Sequence, residues 1–217
     1  MVLGEGVRII WLDAFIGEDG KYESFKRNFQ TTLRPAAAVP PDNINVLICS
    51  LTENAAPVLF AQTPAQAATL IEEHHDKQII FISSGSLGKP MIPLICSVYL
   101  HVYRFYFFCY DIGKYLEFAM DYVCCLQMFN FETDLLVRLA RDISKDIITQ
   151  GEGYLEIDDA ENALKCFEHV STLNNDANRI DTLNPPCLVY LKQLNGDGNN
   201  VGLIQRARDM LNRRNLR

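Results

Sequence analysis

The chain has 217 residues, 48% of them hydrophobic and 22% charged, with a net charge of −7. These values belong to an ordinary globular protein that can bury a core of its own, and they exclude a general polyanion-binding surface, which needs clustered positive charge. Seven cysteines, an odd number set mostly in apolar runs such as NVLICSL and YVCCLQMF, fit buried reduced thiols in a cytoplasmic protein; none forms the C-x-x-C pair that signals zinc.

The opening segment MVLGEGVRIIWLD has no basic stretch leading into a long apolar core, so no secretory leader is expected. Its second half, VRIIWLD (7–13), is the first of four continuous apolar runs. The others are INVLICSL (44–51), QIIFIS (78–83) and RFYFFCYD (104–111). Continuous rather than alternating hydrophobicity marks strands covered on both faces. Between the runs the pattern is helical. Tyr22, Phe25, Phe29 and Leu33 share one face of 21–33, and TPAQAATLIEEHH (63–75) opens with a threonine cap and a first-turn proline. A short helix is expected to start at Pro90, another to cover 113–120, and a fifth strand to lie over about 121–128. This alternation predicts an α/β domain with a parallel five-stranded sheet over residues 1–130. The apolar stretch from Met91 to Tyr110 approaches the ~20 residues that cross a bilayer. Arg104 within it would cost roughly 2.5 kcal/mol or more there, so no membrane span is expected.

Beyond residue 130 only helical periodicity remains, with Leu135, Leu136, Leu139, Ile143 and Ile147 in phase. Residues 131–217 are therefore read as an all-helical extension. Within it Gly151, Tyr154, Ala163 and Phe167 fall at the mutual spacings of the G, Y, A and F positions of a tetratricopeptide repeat, over about 144–177. Small residues let two antiparallel helices approach, and the aromatics fill the space between them. Ile147 stands where that repeat often has Trp, and Asn175 where it often has Pro. One repeat cannot cover both its faces. The α/β domain itself, the helices expected around 187–194 and 200–213, or another molecule, a protein partner or a second copy of the chain, must do so. The arginines 206, 208, 213, 214 and 217 complement the negative end of a closing helix and do not require nucleic acid.

The stretch IIFISSGSLGKPMIP (79–93) poses the chemical question, because an apolar run that stops in serines and glycines can begin a phosphate cradle or a catalytic serine turn. Ser83 replaces the first glycine of a P-loop and Pro90 its magnesium-binding hydroxyl; Ser84 replaces the first glycine of a nucleophile elbow. What remains is an anion-binding nest from the backbone N–H groups of Ser84 to Gly88 beside Lys89. The competing reading is a tight loop that needs glycine's freedom and a serine cap. Asp13, at the end of the first strand, joins Ser84, Gly85, Ser86, Gly88 and Lys89 as the candidate site for a phosphate or nucleotide. In EEHHD (72–76) adjacent histidines point about 100° apart on a helix, so no metal site is expected there. The aromatics from Tyr99 to Tyr110 read as core and sheet surface. No dinucleotide G-x-G-x-x-G or H-E-x-x-H is present, and no cofactor is expected.

The segments IIWLDAFIGEDGKYESFKRNF, FISSGSLGKPMIPLI and MFNFETDLLVRLARDI, over roughly residues 7–175, resemble a receiver-like module of large invertebrate proteins, rotifer ones especially. There it precedes tetratricopeptide arrays or an arginine ADP-ribosyltransferase domain. The resemblance implies a flavodoxin-like strand order, 2-1-3-4-5, with any ligand outside the strands' carboxyl ends. A working phospho-receiver needs carboxylates after its first strand and an aspartate ending its third. Asp13, Glu18 and Asp19 meet the first need, and Lys114 could stand for the distal lysine, but the third strand ends in Ser83-Ser84. No Asp or Glu occurs from Lys77 to Tyr110. The same window lacks the glutamate that a TIR-type NAD hydrolase places after its third strand. The expected function is therefore a cytoplasmic, non-catalytic adaptor, a pseudo-receiver domain with a docking repeat that binds a protein partner or itself. The alternatives are a nucleotide- or phosphate-binding α/β enzyme (a TIR-like NAD hydrolase or another hydrolase) acting at the strand-end loops, and an accessory domain of an ADP-ribosyltransferase-type protein.

Overall fold

A computed structural model describes residues 6–15, 56–181 and 184–215. The chain divides into two compact units, an α/β unit whose described part ends at Leu135 and a helical unit from Leu136 onward.

The α/β unit is built on five strands: β1 (Val7–Leu12), β2 (Val58–Ala61), β3 (Gln78–Ser84), β4 (Val102–Phe108) and β5 (Leu126–Phe129). All neighbours pair in parallel, in the order β2-β1-β3-β4-β5. Register turns the apolar runs into rows across the sheet. Leu59, Ile10, Phe81, Phe105 and Leu126 form one row, and Ala61, Leu12, Ser83, Phe107 and Met128 the next on the same face. Helices α1 (Pro64–Glu73) and α2 (Gly85–Val98) cover this face with Ala67 and Ile71 from α1 and Met91, Ile92 and Ile95 from α2. On the opposite face Ile9, Ile80, Ile82 and Tyr106 are also buried. Burial on both faces is why these strands carry no polar alternation.

The expected strand 44–51 and helix 21–33 lie outside the described residues, and the place beside β1 is held by Val58–Ala61, which sequence periodicity did not mark. α1 forms as expected, its Thr63 hydroxyl accepting the Gln66 N–H at 3.2 Å and Pro64 in its first turn. The fifth strand starts at Leu126 rather than 121, because residues 121–125 make a turn. A 3₁₀ turn (Ile112–Tyr115) and a short helix α3 (Leu116–Met120) replace the single helix expected over 113–120.

The larger correction concerns α2. It begins at Gly85, directly after β3, and not at Pro90. Each proline lacks the N–H that would return to the carbonyl four residues back, so Pro90 deprives Ser86 and Pro93 deprives Lys89 of a helical bond. All four residues are on the exposed side of the helix, where solvent is available to carbonyls that lack a helical partner. The solvent-facing stripe tolerates proline while the buried stripe holds the helix to the sheet.

The helical unit contains most of α4 (Glu132–Glu156), then α5 (Ala160–Ile180), α6 (Val189–Asn195) and α7 (Leu203–Asn215). α4 and α5 run antiparallel. The Asn174 amide donates to Ser144 Oγ at 2.8 Å inside the seam, Arg141 pairs with Asp181 at 2.7 Å, and Gly151 meets Phe167. Their junction is compact. Asp158 takes φ 60°, its N–H bonding to Leu155 O and that of Asp159 to Tyr154 O, the pair of bonds that closes a helix through a left-handed residue. Asp159 then caps α5, its carboxylate accepting the Asn162 N–H at 3.3 Å. α7 packs along α5, with α6 against both. Asn175, where a repeat would have proline, lets α5 run on to Ile180.

Candidate functional site

In a sheet ordered β2-β1-β3, the chain leaves β1 toward one side and later returns on the other. The carboxyl ends of β1 and β3 then flank the crevice where ligands of open α/β sheets bind. Leu12 pairs with Ser83, which brings Asp13, just past β1, beside Ser84, the last residue of β3.

Asp13 is 6% exposed; its Oδ1 accepts the Phe15 N–H at 2.8 Å and its own N–H donates to Ala61 O at 2.9 Å. The carboxylate thus closes the turn that follows β1. Ser84 occupies the N-cap position of α2 with extended backbone (φ −66°, ψ 151°), but its hydroxyl makes no capping bond. Ser86 and Lys89 are exposed on the first turns of α2, the Lys89 ammonium lying 6.0 Å from the Phe118 ring centre.

The two glycines of the stretch have a different reason. A Cβ on Gly85 would stand 2.6 Å from the Tyr115 ring, so that ring is seated on the first residue of α2. A Cβ on Gly88 would collide with Ser83 Oγ and lie 2.9 Å from Phe107. Both glycines permit close approach inside the fold, and neither sits in the loop the sequence suggested; the nest expected from Ser84 to Gly88 is the opening of a helix with an aromatic ring against it. Tyr115 had no sequence signal, because only tertiary packing brings it there.

Ser83 is 0% exposed, and its Oγ, the one polar side chain in the row from Ala61 to Met128, has no hydrogen-bond partner. Its side chain is turned under Gly88 and away from solvent. Cys109, just past β4, is buried, and its thiol is pushed up by that burial and then by Asp111, which keeps it protonated and a poor nucleophile. Lys114 lies in the 3₁₀ turn capped by Asp111, with its ammonium 5.8 Å from the Tyr115 ring centre.

In the helical unit Gly151, Ala163 and Phe167 are buried. A Cβ on Gly151 would reach 2.5 Å from the Phe167 ring. Tyr154 keeps partial exposure, its hydroxyl accepting from the Gln150 amide at 3.4 Å. His74 and His75, just past α1, each place Nδ1 against a backbone carbonyl of that helix, Leu70 and Glu72. Among the described residues no group of three or more His, Cys, Asp or Glu could hold a metal ion, and no helix is long and apolar enough to cross a membrane. Comparison with family models, with curated proteins and with solved structures gives no match to this chain.

Proposed function

We propose that this chain is a non-catalytic protein–protein interaction module, a receiver-like α/β domain without a phosphoryl acceptor joined to a tetratricopeptide-like helical unit, acting as an adaptor in signalling. The observation that carries the reading is the end of β3: it closes in Ser83, whose hydroxyl is buried without a partner, and Ser84, whose hydroxyl makes no capping bond, so the strand offers no carboxylate there for phosphoryl transfer. Exposed apolar side chains support an associating role: Leu94 and Val98 on α2, Met120 and Val123 near α3, and Ile157 and Val189 in the helical unit. The competing reading, a nucleotide or phosphate held by Asp13, Ser84 and Lys89, must contend with the Tyr115 ring on Gly85 and with an Asp13 carboxylate already engaged by Phe15.

The test uses the whole purified chain. Thermal unfolding is followed with magnesium plus acetyl phosphate, inorganic phosphate, ATP and NAD, and native mass spectrometry reads the assembly state. A ligand at 100 times its dissociation constant would stabilise the fold by about 2.7 kcal/mol, well within detection. The expected result is no stabilisation, no covalent phosphate, and self-association or capture of a defined protein partner. A monomer stabilised by a nucleotide, with the effect abolished in Lys89→Ala, would overturn the proposal.

A further inference from the structure

Helix α2 turns an apolar stripe to solvent. Pro90, Pro93, Leu94 and Val98 lie on its outer side, Leu94 50% and Val98 58% exposed, and Leu100 just beyond is 88% exposed. Single exposed apolar residues are ordinary, but a row of them along one helix marks a contact surface. The outer side of α1, which covers the same sheet face, adds Ala65, Gln66 and Thr69 and carries no charge before Glu72. Charge sits at the two ends of the stripe. Lys89 is the one charged residue of α2, five positions before Leu94. Tyr99 lies five positions after Leu94 and donates its hydroxyl to Glu72 Oε1 at 2.8 Å, which sets a carboxylate beside the C-terminal end of the helix.

We propose that this stripe is the interface of a homodimer, in which α2 crosses α2 of a second copy in the opposite direction about a two-fold axis at Leu94. Two observations select a second copy. The chain carries a net charge of −7, so copies repel wherever acids face acids, and no Asp or Glu occurs from Lys77 to Tyr110. The stripe is also complementary to itself. With 1.5 Å of rise per residue, Lys89 and Tyr99 stand about 7.5 Å on either side of the axis. The two-fold therefore sets Lys89 of each copy toward the Glu72 carboxylate and the negative helix end of the other, and makes that contact twice. The Ser86 and Lys89 carbonyls that the prolines leave open fall toward the N-terminal end of the stripe, in the polar rim that water reaches. A helix of 14 residues is about 21 Å long and covers less than the ~800 Å² per partner of a standard interface, so the dimer is reversible, with a dissociation constant in the micromolar range. The proposal rests on the interaction reading above and names its surface.

Sedimentation velocity of the whole chain across the micromolar range is the test. The expected result is a concentration-dependent monomer–dimer equilibrium, weakened about tenfold or more in Leu94→Glu, which sets two carboxylates together on the axis. Lys89→Glu and Glu72→Lys should each weaken the dimer, because like charges then meet at both contacts. An equimolar mixture of those two variants should recover the wild-type affinity, since both contacts of the mixed dimer again join opposite charges. Isotope labelling of one variant lets native mass spectrometry count the mixed dimer. A wild-type chain that stays monomeric overturns the proposal and leaves the interaction reading to the capture of another protein. A dimer that Leu94→Glu leaves intact also overturns it, with the interaction reading then standing on a different surface. Mixed variants that bind no more tightly than either alone overturn it as well. All three substitutions fall at exposed positions, and melting temperatures of the variants are recorded alongside.

Discussion

Gly151→Ala puts the helix seam to a quantitative test. Two terms oppose each other. Alanine in place of glycine within a helix is favourable by about 1 kcal/mol. Against this, the new methyl would lie 2.5 Å from Phe167 Cε1, 2.9 Å from Cζ and 3.1 Å from Cys166 Cβ. Phe167 is fully buried between its neighbours, so the ring has no open side to swing toward, and overpacking of this kind costs roughly 1–3 kcal/mol. The variant should therefore be destabilised by anything up to about 2 kcal/mol. Gly153, on the same helix, supplies the control, because a Cβ there meets nothing within 4 Å and Gly153→Ala should stabilise by about 1 kcal/mol. The difference between the two substitutions cancels the propensity term and leaves the collision. In a Phe167→Leu background, where the ring is gone, Gly151→Ala should become stabilising. That reversal of sign is the pairwise coupling expected of residues in contact. Urea unfolding followed by far-UV circular dichroism reads the helices, and the fluorescence of Trp11, the single tryptophan, reads the α/β unit separately. Equal stabilisation by Gly151→Ala and Gly153→Ala in the wild-type background would refute the close approach.

Asp158→Gly should raise stability by up to about 1 kcal/mol, since φ 60° is strained for any side chain and less so for glycine; a lower urea midpoint would count against the junction as described. Ser83→Ala should stabilise by about 1 kcal/mol by removing a buried hydroxyl without a partner, and a clear fall in melting temperature would mean that the hydroxyl is bonded after all. His169 should make the helical unit sensitive to acid. Burial, opposed by Glu168, lowers its pKa, and its Nδ1 is buried without a partner. Its contribution is complete above the ordinary histidine value of about 6.5; below that the unfolded chain takes up a proton the folded chain resists, so stability falls with pH. Melting temperatures at about pH 7.5 and 5.5 should converge more closely in His169→Leu than in the wild type, and identical pH slopes would discount the residue.

The strands β1, β3 and β4 were legible because each is an unbroken apolar run buried on both faces. β2 was not, because four residues after Pro57 offer neither length nor periodicity. The start of α2 was misread because Ser-Gly-Ser-Leu-Gly-Lys-Pro has the composition of a loop. Its glycines answer to Tyr115 and to Ser83 with Phe107, contacts that no local pattern encodes. Asp13 and Ser84 could be assigned to strand ends in advance, while the Tyr115 ring that crowds the neighbouring Gly85 could not. The Gly151–Phe167 seam was readable because helical spacing alone puts small and large residues on facing stripes. The length of α5 was readable only negatively, through the missing proline at Asn175.

Asp159 terminates one helix and starts the next, which locks the rotational phase of α5 to that of α4. Each residue added between them would turn α5 by about 100° about its axis, carrying Ala163 and Phe167 off the seam. Insertions at 157–159 should thus scramble the hairpin, whereas the Asp197–Asn200 turn, where a Cβ on Gly198 meets nothing within 4 Å, bears no such phase relation. That turn is where an affinity tag or a fluorescent reporter can be grafted while the hairpin keeps its register.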